Sequence, residues 1–302
     1  MNGYILETDS LTKVYGSHRA ADGISIHVRK SAIYGLIGRN GAGKTTFMKM
    51  IAGLANPTSG SYSINDHSGN ELKDVRKLIG CHIEAPGLYP DMTAYQNLKC
   101  KCIQRGIKGD EQINDLLALV GLSGTGKKKA GKFSLGMKQR LGIAMALVGS
   151  PDLLVLDEPI NGLDPQGIHE IRETLLKLNS LGITIMISSH ILDELSKIAT
   201  DYGIIHEGRL LEEITAEELI AKCKDKVMIR TNDTQRAMEL LENSGISDCT
   251  VNENIIEING HITETGRLNS ALVGAGITVD EIYVQSESLE EHYLKLTGGE
   301  AK

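Results

Sequence analysis

Tryptophan is missing from the 302 residues, phenylalanine occurs only twice, and the chain has no net excess of positive charge. No apolar run approaches the roughly 20 residues that a membrane-spanning helix needs, so the chain is not expected to cross a bilayer by a helix of its own. Met1 to Leu11 carries Glu7 and Asp9 and has no basic stretch followed by an apolar core. A secretory signal is therefore not expected, and a cytosolic location is. Lysine and arginine total 32 against 39 acidic residues, a formal charge of −7 that argues against a general nucleic-acid binder. The basic cluster Lys127-Lys128-Lys129 with Lys132 lies in a Gly-rich loop. It reads as a solvated loop rather than a phosphate or lipid-headgroup contact. Cysteine is scarce as well: five, an odd number at irregular spacing, as expected of reduced thiols. Cys100-x-Cys102 has no second Cys/His pair nearby, which excludes the usual structural zinc pattern.

The hydrophobic content of 41% and charged content of 24% are those of a globular protein. The length suits a domain of about 200 residues and a smaller one. Residues 1 to about 85 read as short strands and turns, including Leu11 to Tyr15 and the alternating Ile24, Ile26 and Val28. Ala32 to Gly38 reads as a buried strand, and Lys44 to Leu54 as a helix stopped by Gly53 and Pro57. From about 86 to 150 the spacing is helical. Thr93 is placed to cap one helix, and Ile113, Leu116, Leu117 and Val120 fall on one face of another. Residues 151 to about 215 return to alternation, with Leu153 to Leu156 and Ile183 to Ile187 as buried parallel strands. Beyond Gly208 the texture changes. Strands at Val227 to Arg230, Cys249 to Val251, Ile255 to Ile258 and Ile277 to Val284 flank helices at Thr234 to Asn243 and Thr263 to Val273. That β-α-β-β-α-β order is ferredoxin-like. A last helix, Leu289 to Leu296, is expected to stop at Gly298-Gly299.

The chemistry begins at Gly38-Arg39-Asn40-Gly41-Ala42-Gly43-Lys44-Thr45, which fits G-x-x-x-x-G-K-[ST]. Its glycines let backbone N–H groups turn toward phosphate oxygens, and the following helix adds the positive end of its dipole. Lys44 can reach the β- and γ-phosphates, and the Thr45 hydroxyl can ligate Mg²⁺. Strand before and helix after are the context a phosphate loop requires. Asp157 ends an apolar strand, where a carboxylate can hold Mg²⁺ at the rim of a parallel sheet. Glu158 is the candidate for polarising water, and strand alternation is expected to point it away from Asp157.

These motifs, in this order with Ser134-Leu135-Gly136-Met137-Lys138-Gln139, Asn161-Gly162-Leu163-Asp164 and Ser188-Ser189-His190, resemble the ABC ATPases over residues 4 to about 212. The resemblance implies a P-loop α/β core with mixed sheets and a helical subdomain over about 86–150. The ATPase domain would span 1–215, with a small α+β domain over 216–302. It implies that ATP is held by Gly38, Arg39, Asn40, Gly41, Ala42, Gly43, Lys44, Thr45 and Thr46, with Tyr15 stacked on adenine. Glu158 and His190 are the implied catalytic pair. Ser134, Gly136 and Asp164 would act across a homodimer interface, and Thr45 and Asp157 would be Mg²⁺ ligands.

One motif departs from the pattern. The family commonly carries Gln where this chain has Glu84, within Ile79-Gly80-Cys81-His82-Ile83-Glu84-Ala85-Pro86. A carboxylate cannot donate as an amide does, but it binds Mg²⁺ well, so Glu84 joins the candidate nucleotide and metal ligands. Glu84 with Ala85 to Pro90, the signature Phe133 to Gly142 and the terminal Leu289 to Gly298 resemble ATPases of bacitracin and lantibiotic self-protection exporters. That resemblance implies separate membrane permease subunits as partners, a place on the inner face of the membrane, and an antimicrobial peptide or other amphiphilic drug as cargo. The alternative within the family is a non-transport ATPase of DNA repair or the ribosome. The repair class carries long coiled coils and the ribosomal class two cassettes; this chain has neither sustained heptads nor a second P-loop.

Overall fold

A computed structural model describes residues 3–85, 87–108, 110–222, 225–285 and 289–298. The chain divides into two compact units, Met1–Ala216 and Glu217–Lys302. The first begins with β1 (Tyr4–Tyr15), β2 (His18–Ile24), β3 (His27–Arg29), β4 (Ile33–Ile37) and α1 (Lys44–Ile51). β5 (Ser59–Ile64), β6 (His67–Ser68), α2 (Leu72–Val75) and β7 (Ile79–His82) follow. Then come α3 (Ala94–Gln104), α4 (Glu111–Leu119), α5 (Leu135–Ala146), β8 (Leu153–Asp157), α6 (Pro165–Ser180) and β9 (Thr184–Ser189). The unit closes through α7 (Leu192–Ser196), β10 (Asp201–His206) and β11 (Arg209–Thr215). Beyond it lie α8 (Ala216–Lys222), β12 (Lys226–Arg230), α9 (Thr234–Asn243), β13 (Cys249–Asn252), β14 (Ile255–Asn259), α10 (Thr265–Gly274), β15 (Glu281–Gln285) and α11 (Leu289–Thr297).

The site is positioned by a six-stranded sheet of order β11-β10-β4-β9-β8-β7, parallel except for edge strand β11. Every residue of β4, β8 and β9 is buried, which is why those strands read as unbroken apolar runs rather than alternating ones. A second, antiparallel sheet is built on β1. This strand is longer than the sequence pattern suggests because it serves β2, β3 and β5 in turn, changing register at irregularities between partners. Leu6, Ile24 and Val28 from that sheet, with Ile26 from the link between β2 and β3, meet Phe47, Met48 and Ile51 of α1 in one core.

The helical stretch contains α3 to α5. Thr93 caps α3 as expected: its hydroxyl accepts from the Gln96 N–H at 3.2 Å, and the Gln96 side chain accepts from the Thr93 N–H at 2.9 Å. Pro86, where the sequence places the start of this stretch, lies outside the described residues. Helix α1 stops at Ile51, short of Leu54, because Gly53 turns left-handed and the Leu54 N–H closes back on the Lys49 carbonyl at 2.8 Å.

In the second unit β13-β14-β12-β15 form an antiparallel sheet. Val227, Ile229, Ile256 and Ile258 on one face pack with Ala237 and Leu241 of α9 and Leu268 and Leu272 of α10. The strand expected from Ile277 starts only at Glu281. Gly276 ends α10 with a left-handed turn, and Ile277 is drawn into the core, its N–H bonded to the Leu272 carbonyl at 3.0 Å. Gly299, part of the expected terminal stop, lies outside the described residues.

Strand β7 passes so close to α5 that Gly80 has no room for a side chain: a Cβ there would press into the Ala146 carbonyl oxygen. Gly80→Ala should cost about 1–3 kcal/mol, the range of an overpacked core. Urea denaturation of the two proteins measures it, and an unchanged midpoint would show that β7 can shift freely against α5.

Candidate active site

The register of three parallel strands gathers the motifs. Ile37, the last residue of β4, lies opposite Ser189, and Asp157, the last of β8, lies opposite Ser188. The loop after β4, Asp157-Glu158 and Ser189-His190 therefore emerge together at the carboxyl edge of the sheet, where α/β proteins bind ligands.

Gly38-Arg39-Asn40-Gly41-Ala42-Gly43 form the loop, with Gly41 at φ 85° and Gly43 at φ 104°. A Cβ on Gly43 would collide with the Ala20 carbonyl, so β2 seals the loop from behind and only glycine fits. Helix α1 starts at Lys44, and Lys44, Thr45 and Thr46 make its first turn, whose N–H groups have no partner within a helix. The Lys44 ammonium is almost fully buried and donates to the Gly38 carbonyl at 2.6 Å, while facing Glu158 Oε1 at 3.2 Å. The buried lysine therefore stands at a helix N-terminus with its charge offset by a single carboxylate.

Thr45 Oγ1 donates to Asp157 Oδ2 at 2.8 Å, and Ser188 Oγ donates to Asp157 Oδ1 at 2.6 Å. The same Ser188 oxygen accepts the Glu158 N–H at 2.9 Å. Ser188 is fully buried and holds both acidic residues, yet in the sequence it is simply one of two serines before a histidine. Glu158 differs from its sequence expectation in one respect. It lies beyond the strand, in the left-handed region at φ 48°, so a turn rather than strand alternation aims its side chain. That turn brings it to the same locus as Asp157, against Lys44, and its Oε2 meets His190 Nδ1 at 2.8 Å. Its Oε1 is buried and has no hydrogen-bonded partner among the described residues. That oxygen is met by the Lys44 ion pair rather than by a hydrogen bond, and the strained backbone that presents it is a feature of reactive sites.

Tyr15 is half-exposed at the end of β1, its ring under the Lys13 ammonium at 5.0 Å. Ser134 caps α5 by accepting the Met137 N–H at 3.3 Å, and Asp164 caps α6 by accepting the Gly167 N–H at 2.9 Å. Ser134, Gly136, Asp164, Arg140 and Glu170 line one cavity of about 490 Å³, which contains none of the P-loop residues. Glu84 is not drawn to the Thr45–Asp157 pair. It sits in the left-handed region at φ 63°, exposed, and pairs with Lys49 of α1 at 2.5 Å. Nothing in the sequence marked Lys49 as its partner.

The residues fit a divalent cation with phosphate ligands. Thr45 and Asp157 offer hard oxygens side by side, and no group of three or more His, Cys, Asp or Glu able to hold a metal occurs among the described residues. A Mg²⁺ ion bound through one or two protein oxygens plus substrate phosphates needs no larger cluster.

A family model described as ABC transporter matches residues 21–161. The bacitracin transport ATP-binding protein BcrA of Bacillus licheniformis is 44% identical over 299 residues, 98% of each chain. The lantibiotic transport ATP-binding protein SrtF of Streptococcus pyogenes is 46% identical over 209 residues, 69% of this chain and 90% of that one. Among solved structures, cbiO1 from Clostridium perfringens, part of the ABC transporter complex cbiONQ, superimposes with a TM-score of 0.66 at 26% identity, covering 80% of this chain and 96% of that one. The chain belongs to the ABC transporter ATP-binding family and is an ATPase with that family's fold.

Replacing Ser188 by Ala strips a donor from buried Asp157 and an acceptor from the Glu158 N–H. The expected loss of stability is about 1–3 kcal/mol, the cost of leaving buried polar groups unsatisfied. Denaturant titration checks this. A change below about 0.5 kcal/mol, within the range of neutral surface substitutions, would mean that neither bond matters.

Proposed function

We propose that this ATPase hydrolyses MgATP at sites shared between two copies of the chain and drives export of an antimicrobial peptide of the bacitracin class through separate membrane subunits. The observation that carries the chemistry is the chain of contacts Lys44–Glu158–His190, none longer than 3.2 Å, at the ends of adjacent strands. Gly38, Arg39, Asn40, Gly41, Ala42, Gly43 and Thr46 line the triphosphate with backbone groups, and Lys44 neutralises its outer phosphates. Tyr15, half-exposed at the end of β1, stacks on adenine. Thr45 and Asp157 would hold Mg²⁺, which when bound would supply charge neutralisation on the phosphate oxygens.

Glu158 Oε1, buried and paired with the Lys44 ammonium in this structure, takes the proton of the attacking water as the water oxygen bonds to the γ-phosphorus and the bond to the ADP oxygen breaks. His190 holds Oε2 and so fixes the carboxylate. Ser134 and Gly136, at the start of α5, and Asp164, at the start of α6, complete the partner's nucleotide site. Their separation from the P-loop within one chain supports a composite site. No helix among the described residues is long and apolar enough to cross a membrane, and a peripheral place on the cytoplasmic face beneath permease subunits accommodates that.

The ATPase domain spans 1–215, with its helical part at about 86–150 facing the membrane subunits, and the 216–302 domain is ferredoxin-like. Its strand order, counted in sequence as 2-3-1-4 with every neighbour antiparallel, supports that assignment. The peptide substrate is inferred from the bacitracin and lantibiotic relatives.

Glu158→Gln keeps Lys44, Thr45 and Asp157, and so keeps nucleotide binding. Turnover should fall by ~10²–10⁴-fold, the contribution of a positioned general base. Cells expressing this variant with the permease should lose protection against bacitracin. Near-normal hydrolysis would remove Glu158 from the role, and protection by the inactive variant would separate hydrolysis from export.

Glu84, at the joint leading to the helical part and paired with Lys49 in this structure, is proposed to leave that pair and approach Mg²⁺ or the attacking water once nucleotide binds, and so to report nucleotide state to the membrane subunits. Glu84→Gln and Glu84→Ala should keep ATP affinity within about tenfold, roughly 1.4 kcal/mol. Glu84→Ala should lower cellular resistance more than ATPase rate; strict proportionality between the two would make the residue purely catalytic.

A further inference from the structure

His82 is a buried imidazole that the chemistry above does not use. It ends β7, lies in register with Leu156 of β8 beside Asp157, and stands two positions before Glu84. Its ring rests on α5 where Gly142 has no side chain; a Cβ on that glycine would come within 2.8 Å of the imidazole. Nε2 and Gln139 Oε1 are 2.5 Å apart, and both side chains are buried. Facing an amide oxygen, Nε2 carries the proton and donates. Burial lowers the imidazole pKa below its ordinary value, against the opposing pull of the Gln139 bond and the Asp157 charge.

An apolar side chain would fill this place without desolvating any polar group, so packing alone does not account for a histidine here. A buried donor–acceptor pair is costly unless both members meet, and it specifies one alignment where apolar contact would tolerate sliding. The elements it aligns matter. Gln139 stands five residues after Ser134 on α5, so the helix end that carries Ser134 and Gly136 moves with it as one rigid piece. On the next residue, Arg140 reaches away from β7, donating to the Val120 carbonyl at 3.1 Å and pairing with Glu170 of α6 at 3.0 Å. Neighbouring residues of one helix thus hold it to α6 on one side and to β7 on the other.

We propose that His82 is a positioning residue: through Gln139 it registers α5 to the strand that leads into Glu84, so that a displacement of the Glu84 turn reaches Ser134 and Gly136. The proposal rests on the reading that those two residues complete the partner's nucleotide site. His82→Leu removes the donor and leaves Gln139 Oε1 buried without it; His82→Gln restores an amide nitrogen near the place of Nε2. The kcat and KM for ATP hydrolysis by the 302-residue chain are measured for both, with affinity for a fluorescent ATP analogue and with Ser134→Arg alongside. His82→Leu should lower kcat about tenfold, ~1.4 kcal/mol in the barrier, with analogue affinity within about twofold of wild type. His82→Gln should recover at least about half of the wild-type kcat, a residual barrier change under ~0.5 kcal/mol.

An unchanged kcat in His82→Leu, a parallel loss of analogue affinity, or no recovery in His82→Gln overturns the positioning role. Should His82→Leu not fold, Gln139→Leu removes the same bond from the helix side with the same expected kcat loss. Ser134→Arg separates the two failures. Wild-type turnover in that variant overturns the shared-site reading itself. Abolished turnover there with an unaffected His82→Leu overturns the role of His82 alone.

Discussion

The parallel register of β4, β9 and β8 is the constraint on which the other features of the site depend. Ladder hydrogen bonds fix Ile37 opposite Ser189 and Asp157 opposite Ser188, and so bring three segments far apart in sequence to one edge. Side chains in a strand alternate faces, so a slip of β8 by one residue against β9 would turn Asp157 to the face opposite Ser188 and part the hydroxyl from the carboxylate. Complete burial of these strands makes such a slip expensive, because each residue has an apolar layer on both sides. The core therefore sets the site geometry as well as the stability.

Around that edge the backbone departs from easy conformations where chemistry is expected. Gly43 adopts a left-handed geometry against the Ala20 carbonyl, and Glu158 adopts one without the freedom of glycine. The Ser188 hydroxyl stabilises the second departure by binding the Glu158 N–H and the neighbouring Asp157 carboxylate at once. A single buried hydroxyl with two firm partners has little freedom to rotate, and this limits where Glu158 can point. Helix caps supply a second kind of economy. Ser134 and Asp164 each satisfy N–H groups of their own helix while standing at a helix end whose dipole favours an anion.

The helical part is tied to the core by directed bonds as well as by apolar packing. Arg105, just past α3, donates to the carbonyls of Val148 at 2.9 Å and Ile79 at 3.1 Å, joining the end of α3 to the chain after α5 and to β7. Gly80 and Gly142 let β7 and α5 approach without intervening side chains, and the His82–Gln139 pair lies in that contact. The surface pair Lys49–Glu84 is of another kind. Exposed pairs contribute about 0–1 kcal/mol, so it biases the Glu84 side chain without locking it.

The sequence alone determined the parts whose signals are local. Gly-x-x-x-x-Gly-Lys-Thr between an apolar run and a helical run fixes a phosphate loop, since spacing and residue type are the mechanism. Thr93 before a helical run fixes a helix start for the same reason, and unbroken apolar runs announced β4, β8 and β9. Strand order in the second unit was legible only as an element sequence, and the start of β15 was misplaced because Ile277 is apolar for core packing rather than for pairing. What the tertiary structure decided are relations between distant residues. Glu158 and Ser188 stand 30 residues apart in sequence, Lys49 and Glu84 35, and His82 and Gln139 57, and no pattern in the chain between them joins them. Those pairs exist because sheet register and helix packing bring their backbones together, and neither is written in any short stretch of chain.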